Sequence, residues 1–313
     1  MASTTIASEN FISHYNIKRS VCWATHFANA APLDVEIGFG LGEFLIRSAQ
    51  ENPRRNFVGI EHDWQRVHKA LGKVEQIKNR FSVENLPNLR FLHIDAWVAF
   101  ERLFEPKSIH RLFALFPCPW PKKKHTKHRL FSRDFLKLIN SRLVNQGEMK
   151  IVTDHEPFVE WVWREAEDTG FGRQRGLMKP QFDTKFERKW RGQGKEEFFV
   201  LELLKEKHIA VPLLKDCSLK VYSLEHFKPE RFSFPNIIGE TSIILKEFLF
   251  DPKKDQGMIH LVVAEKNIAQ HLWLMVFKSQ RWSIAPAVGQ AILPTQGIAA
   301  ALEAVYQAAT KTF

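Results

Sequence analysis

Cysteine is scarce in this chain: Cys22, Cys118 and Cys217 are the only three among 313 residues. Thiols so few and so scattered exclude a disulfide framework and a cysteine-built zinc site, and they fit a reducing compartment, so a cytoplasmic location is expected. No stretch approaches the ~20 apolar residues of a membrane helix, and the start, MASTTIASEN, has neither the basic nor the apolar region of an export signal. No membrane association is expected. Internal repeats and low-complexity tracts are absent, and the histidines are scattered without ligand spacing, so no metal is expected. Acidic residues are missing altogether from Pro106–Arg133, where eight Lys/Arg give a local charge of +8. In Phe171–Arg191, seven basic residues face only Asp183 and Glu187, a local +5. The whole chain carries +10, so the rest is net negative. Base gathered in two segments, both expected to be loops, suits a phosphate-rich partner better than an even spread would, because a local field steers a polyanion; a solvated basic surface is the plainer alternative for either segment alone.

What is present is a chain rich enough in hydrophobic residues, 44%, to pack a large core. Residues 1–30 read as an irregular arm with a weakly amphipathic patch around Trp23 and Phe27. Apolar runs at Leu33–Ile37, Asn56–Ile60, Leu89–Ile94, Leu112–Phe116 and Met149–Thr153 look like buried parallel strands. Segments with helical spacing, among them Glu43–Asn52, Trp64–Arg80 and Arg133–Asn145, separate them. Glu197–Leu204 looks like a late strand of the same sheet. Strand alternating with helix predicts an α/β, doubly wound Rossmann-like sheet over residues 31–207. The pattern then changes. Strand-like runs at Ser218–Tyr222, Thr241–Phe250, Met258–Ala264, His271–Phe277 and Arg281–Ile284, followed by an Ala-rich helix Gly297–Lys311, predict a smaller α+β domain over 208–313, with docking, dimerisation or stabilisation as its expected role.

The segment DVEIGFGLGEF places a glycine-rich turn directly after the first predicted strand. Gly38, Gly40 and Gly42 have the spacing G-x-G-x-G, whereas a dinucleotide fingerprint would need a third glycine where this chain has Glu43. Hydride chemistry is therefore disfavoured. Glu36 before the turn can answer an ammonium or sulfonium group, and the glycines allow close backbone approach. Glu61 ends the second strand, where it can accept both ribose hydroxyls, and Asp95 ends the third, where it can accept from an adenine amino group. Either carboxylate can also be a helix N-cap. Three acids at the carboxyl edge of successive strands suit S-adenosyl-L-methionine.

These residues resemble the bacterial tRNA (guanine-N7-)-methyltransferase family over roughly Trp23–Leu204. The resemblance rests on E-I-G-F-G-x-G (Glu36–Gly42), G-I-E (Gly59–Glu61) and D-A (Asp95–Ala96), and more specifically on F-P-x-P-W-x-K-x-x-H-x-K-x-R (Phe116–Arg129), T-D (Thr153–Asp154) and T-K-F-E (Thr184–Glu187). It implies methylation of guanine 46 in the tRNA variable loop, with Glu36, Gly38, Gly40, Gly42, Glu61, Asp95 and Ala96 around the donor. It places Lys122, Asp154, Thr184, Lys185, Phe186 and Glu187 on the tRNA side, although Thr184 and Glu187 also have the spacing of a capping box. Lys123, Lys124, Lys127 and Arg129 are expected to meet backbone phosphates. Trp120, between Pro119 and Pro121, is expected to pack in the core, with stacking near a flipped guanine as the alternative. The family acts without a second subunit, so a monomer or homodimer with no obligatory partner is expected.

One departure stands out: Cys118 occupies the position of the Asp in the family's P-D-P-W. Guanine N7 is nucleophilic in the neutral base, so transfer needs placement more than proton removal. The family Asp then orients the guanine and offsets its growing charge, and its loss is expected to slow the reaction. Asp154 remains to accept from the guanine edge. Two other readings stay open: an RNA cytosine C5-methyltransferase with Cys118 as nucleophile, and a catalytically impaired tRNA-binding protein.

Overall fold

Strands buried on both faces cannot alternate apolar with polar residues, and the central runs of this chain do not. The computed structural model describes residues 8–13, 21–81 and 86–311, except for the side chains of Ser8, Arg80, Phe81 and Lys123. The chain divides into two units, Met1–Leu214 and Lys215–Phe313.

The first unit is built from β1 (Phe11–Ile12), α1 (Trp23–Phe27), β2 (Leu33–Ile37), α2 (Glu43–Glu51), β3 (Asn56–Glu61), α3 (Trp64–Phe81), β4 (Leu89–His93), α4 (Ala96–Arg102), β5 (Ile109–Leu115), α5 (Arg133–Arg142), β6 (Leu143–Thr153), α6 (Glu156–Glu165), β7 (Phe171–Met178), α7 (Lys185–Arg191) and β8 (Phe198–Lys205). Its eight strands form one sheet in the order β1-β4-β3-β2-β5-β6-β8-β7. Only β8 runs against its neighbours. The chain winds outward from β2 through β3 to β4, then returns to the other side of β2 as β5, so the strand order reverses between β2 and β5. Helices leaving in opposite directions open a crevice at the carboxyl ends of these two strands. Val35, Val58, Leu89, Leu112 and Ile151 are all but fully buried.

Two expectations need correction. The arm is regular in part: Phe11 and Ile12 pair in parallel with Phe91 and Leu92, and Trp23 and Phe27 are buried, Trp23 stacking 5.2 Å from Phe104. The remaining expectations for residues 1–7 and 14–20 lie outside the described residues. The second basic segment is not a loop. Phe171–Met178 is an edge strand paired along its length with β8, and Lys185–Arg191 is helical.

The second unit has β9 (Tyr222–Leu224), β10 (Thr241–Asp251), β11 (Gln256–Glu265), β12 (Ile268–Lys278), β13 (Trp282–Pro286) and α8 (Gln296–Thr310). The antiparallel order is β10-β11-β12-β13-β9. Ile298, Ala301, Leu302, Val305 and Ala309 form a buried stripe on α8 that packs with Ile259, Leu261, Leu272 and Leu274 of the sheet. The strand expected at 218–222 begins only at Tyr222, where pairing with Ile284 starts. Among the described residues, no helix is long and apolar enough to cross a membrane.

At the amino edge of the first sheet, away from the crevice, Asp34 on β2 is buried. It accepts from Arg55 Nε at 2.7 Å, just before β3, and from Arg111 Nε at 2.9 Å on β5. One carboxylate thus joins the central strands on either side of the reversal. Removing its charge strands two guanidiniums that are only partly hydrated, and Asp34→Asn is expected to cost about 2–3 kcal/mol of stability. Denaturant unfolding checks this; a midpoint equal to that of the unaltered protein would show that the pair is solvated.

Candidate active site

The crevice is floored by the turn that follows β2. Gly38, Gly40 and Gly42 all have left-handed backbone, with φ of 72°, 57° and 71°. A side chain at Gly42 would also meet Ala70 Cβ at 3.1 Å and Ile46 Cδ1 at 3.3 Å, so glycine there lets α2 start against α3. A Cβ built on Gly38 or Gly40 would meet no atom within 4 Å, which makes the space above the turn open.

Three carboxyl groups lie at the carboxyl ends of β2, β3 and β4, each in a different condition. Glu61, at the end of β3, is 2% exposed; it accepts Gly40 N–H at 3.1 Å through Oε2, and His62 N–H at 3.0 Å and Asp63 N–H at 3.1 Å through Oε1. A carboxylate has about four acceptor sites. Accepting both ribose hydroxyls, as expected, therefore requires one of these three bonds to open. Asp95 is exposed and is the N-cap of α4, its Oδ1 accepting Trp97 N–H at 2.8 Å and Val98 N–H at 3.3 Å. Ala96, beside it, is buried. Glu36 is the unusual one. It is 2% exposed, and its Oε2 has no hydrogen-bond partner among the described residues. Burial, and then the charge of Glu61, push its pKa up to about 8 against the opposing pull of Arg47. A dry, unpartnered carboxyl beside an open glycine turn is a place made for a cation.

The loop after β5 forms the opposite wall. Phe116 and Trp120 both have left-handed backbone, and Cys118 between them is exposed. Trp120 does not pack in the core. It is 37% exposed, because the left-handed turn between the two prolines points the ring outward, to within 5.7 Å of His125 and 5.3 Å of His128. Arg129 is half-buried: its Nε donates to Pro119 O at 2.9 Å and its guanidinium lies 5.2 Å over Trp161, so it braces the loop. Lys122, Lys124 and Lys127 are exposed on or beside the 3-10 turn Lys123–His128; the side chain expected of Lys123 lies outside the described residues.

Asp154, directly after β6, is half-buried, and its backbone oxygen accepts from Lys195 Nζ at 2.6 Å. Thr184 caps α7, its Oγ1 accepting Glu187 N–H at 3.2 Å. The box is only half formed. Glu187 turns away from Thr184 and accepts Gln181 N–H at 2.8 Å, Phe182 N–H at 3.2 Å and Asp183 N–H, because the left-handed Asp183 aims consecutive N–H groups inward. At 1% exposure its carboxylate shapes the turn and does not face solvent, so the expected part in holding RNA becomes indirect. Lys185 and Phe186 are exposed, the Phe186 ring 6.3 Å from that of Phe116.

Beneath these loops Phe44, Leu115, Val152, Phe182 and Phe198 form one buried cluster, with Phe113 and Phe116 against it. It gathers the start of α2, the ends of β5 and β6 and the segment before α7 around a single point. No local spacing announces such a cluster. Among the described residues, no group of three His, Cys, Asp or Glu could hold a metal ion.

A family model described as "Putative methyltransferase" matches residues 30–200, more than half of the chain. A tRNA (guanine-N(7)-)-methyltransferase of Chlorobium phaeobacteroides is 45% identical over 181 residues, 58% of this chain and 85% of that one. A tRNA (guanine-N(7)-)-methyltransferase of Thermus thermophilus is 30% identical over 82% of this chain and 81% of its own length, a span too long for the first unit alone. The solved 16S rRNA methyltransferase KamB overlaps 61% of this chain and all of its own, at 16% identity and a TM-score of 0.44. The cofactor that goes with this fold and family is S-adenosyl-L-methionine, and the unpartnered Glu36 and the open turn fit its cationic amino-acid end.

A carboxyl group with a raised pKa costs the fold nothing while both states are protonated, and it costs stability progressively once the unfolded chain releases its proton and the folded protein still holds one. Glu36 therefore withdraws stability as pH rises from about 4.5 to about 8. Glu36→Gln cannot ionise. The donor-free variant is expected to match the unaltered protein near pH 4.5 and to exceed it at pH 8 by an amount on the order of a few kcal/mol. Thermal unfolding at the two pH values checks this, and a constant difference between the proteins would mean that Glu36 does not titrate.

Proposed function

Because the chain belongs to the tRNA (guanine-N7-)-methyltransferase family, we propose that it transfers a methyl group from S-adenosyl-L-methionine to N7 of guanine 46 in the variable loop of tRNA, forming 7-methylguanosine. The observation that carries this reading is the meeting of two loops at the reversal of strand order: the glycine turn after β2 and the F-P-C-P-W loop after β5.

When bound, the cofactor supplies a methyl group made electrophilic by a sulfonium. Glu36 holds its positive end, Glu61 and Asp95 take the ribose and adenine, and the open space over Gly38 and Gly40 admits the chain that joins them. On the other wall Asp154 accepts from guanine N1–H and the exocyclic amine, which turns N7 towards the methyl group. No residue has to remove a proton before the attack, since the N7 lone pair is free in the neutral base; the rate depends on holding the two atoms in line. Trp120, exposed beside two imidazoles, offers a face on which a displaced base can stack. Lys122, Lys124 and Lys127 stand where the phosphates flanking that base would pass.

Cys118 is then a bystander where the family places a carboxylate. Incubation of the purified chain alone with an unmodified tRNA transcript and the cofactor, followed by nucleoside mass spectrometry, is expected to yield 7-methylguanosine, and a transcript with adenine at position 46 is expected to yield none. Cys118→Ser should leave the rate within about threefold, because no covalent step uses the thiol, whereas Cys118→Asp should raise it about tenfold by restoring an anion beside the cationic product. Lys127→Ala should lower the slope of log affinity against log salt by about one unit. The appearance of 5-methylcytidine, abolished by Cys118→Ser, would replace this reading with the cytosine one.

A further inference from the structure

Glu43 has no part in the site as described so far. It is the first residue of α2, directly after Gly42, in the position where a dinucleotide fold would carry its third glycine. Its side chain reaches a segment 142 residues away in sequence. Oε2 accepts the backbone N–H of Lys185 at 2.6 Å, and Oε1 accepts Arg188 Nη2 at 2.6 Å and lies 3.3 Å from Lys73 Nζ. Burial disfavours the charge, but Arg188, Lys73 and the Lys185 N–H outweigh it and hold the carboxyl below its ordinary pKa.

Its neighbours on α2 grip the same segment. Phe44 meets Phe182 edge-on with 5.3 Å between ring centres, and Arg47 donates to Phe182 O. Residues 182–188 are thus attached to the first turns of the helix that begins at the donor turn. Gly42 N–H donates to Phe39 O at 2.9 Å and Gly42 O accepts Ile46 N–H at 2.9 Å, so one residue hydrogen-bonds the turn to the helix. Displacement at one end of a packed helix is carried to whatever is bonded along it.

We propose that Glu43 is a positioning residue that couples the donor turn to the Thr184–Glu187 turn, so that occupation of the donor site orders residues 182–188. The consequence for RNA rests on the function proposed above; the coupling itself does not. Charge-assisted hydrogen bonds of this kind carry the coupling, and by linkage the RNA-side turn reports on the donor as much as the donor on it.

Hydrogen exchange followed by mass spectrometry on the full chain tests the coupling without methyl transfer, with S-adenosylhomocysteine as the probe. In the unaltered protein the probe is expected to slow exchange over 182–188 about tenfold, the scale of one charged hydrogen bond. The protection should shrink in Glu43→Gln, which keeps one acceptor oxygen but loses the charge, and vanish in Glu43→Ala, while both variants keep the probe's protection of the glycine turn. Arg188→Gln, which breaks the pair from the other side, should resemble Glu43→Gln and guards against misfolding at residue 43. Equal protection of 182–188 in all four proteins, or none in the unaltered one, would overturn the proposal. Formation of 7-methylguanosine is scored separately: if the unaltered chain shows the coupling and makes no 7-methylguanosine, the coupling stands and the function falls. If it methylates tRNA and the probe protects 182–188 equally in the unaltered protein and Glu43→Ala, the coupling falls and the function stands.

Discussion

A carboxyl group held dry and without a partner is the constraint around which the first unit is arranged. Glu36 lies on the central strand of a sheet buried on both faces, next to the one point where the strand order reverses. Leaving it uncompensated costs stability, and the fold tolerates the cost by keeping the group protonated over most of the neutral range. A cationic ligand above the turn converts that cost into affinity. The geometry follows from the same place. The glycines adopt left-handed backbone and put no side chain into the space beside Glu36, and Glu61 holds the turn by accepting Gly40 N–H.

The opposite wall obeys a looser constraint. A reaction that needs a general base fails when the base is lost, but attack by an unprotonated purine nitrogen needs alignment first. That is why a thiol can stand at position 118 without dismantling the site. The loop is held by its backbone: Phe116 N–H donates to Val152 O at 2.7 Å, and Arg129 clamps the Pro119 carbonyl. Neither bond involves the side chain of residue 118. Substitution there leaves both of these bonds in place.

The central strands and the donor turn were legible in the sequence because their signals are local. An apolar run without alternation means a strand buried on both faces, and glycines two apart before an amphipathic helix mean a turn under a ligand. What escaped was set by partners far along the chain. β7 carries Arg173, Gln174 and Arg175 because it is an edge strand, and it is a strand only because β8, more than twenty residues on, pairs with it. Thr184 and Glu187 have the spacing of a capping box, yet Glu187 answers the N–H groups that the left-handed Asp183 turns inward. The ring of Trp120 points outward for a similar backbone reason. Glu43 stands in the sequence where a dinucleotide fingerprint has glycine, and nothing around it there points to Lys185 or Arg188.

The distribution of charge differs between the two units. From Lys215 onward, eleven basic residues are set against nine acidic ones, so the second unit has almost no field of its own. Its helix and five strands close a core as complete as that of many free-standing domains. The basic 3-10 turn beside Cys118 and the segment from β7 to α7 lie in the first unit, and Glu43 ties the latter to the donor turn. A polyanion drawn by that field would be led to the unit that carries the glycine turn, and Glu43 bonds the segment before α7 to the helix that begins at that turn. Attraction and alignment then become parts of one event, which is what a reaction governed by placement requires.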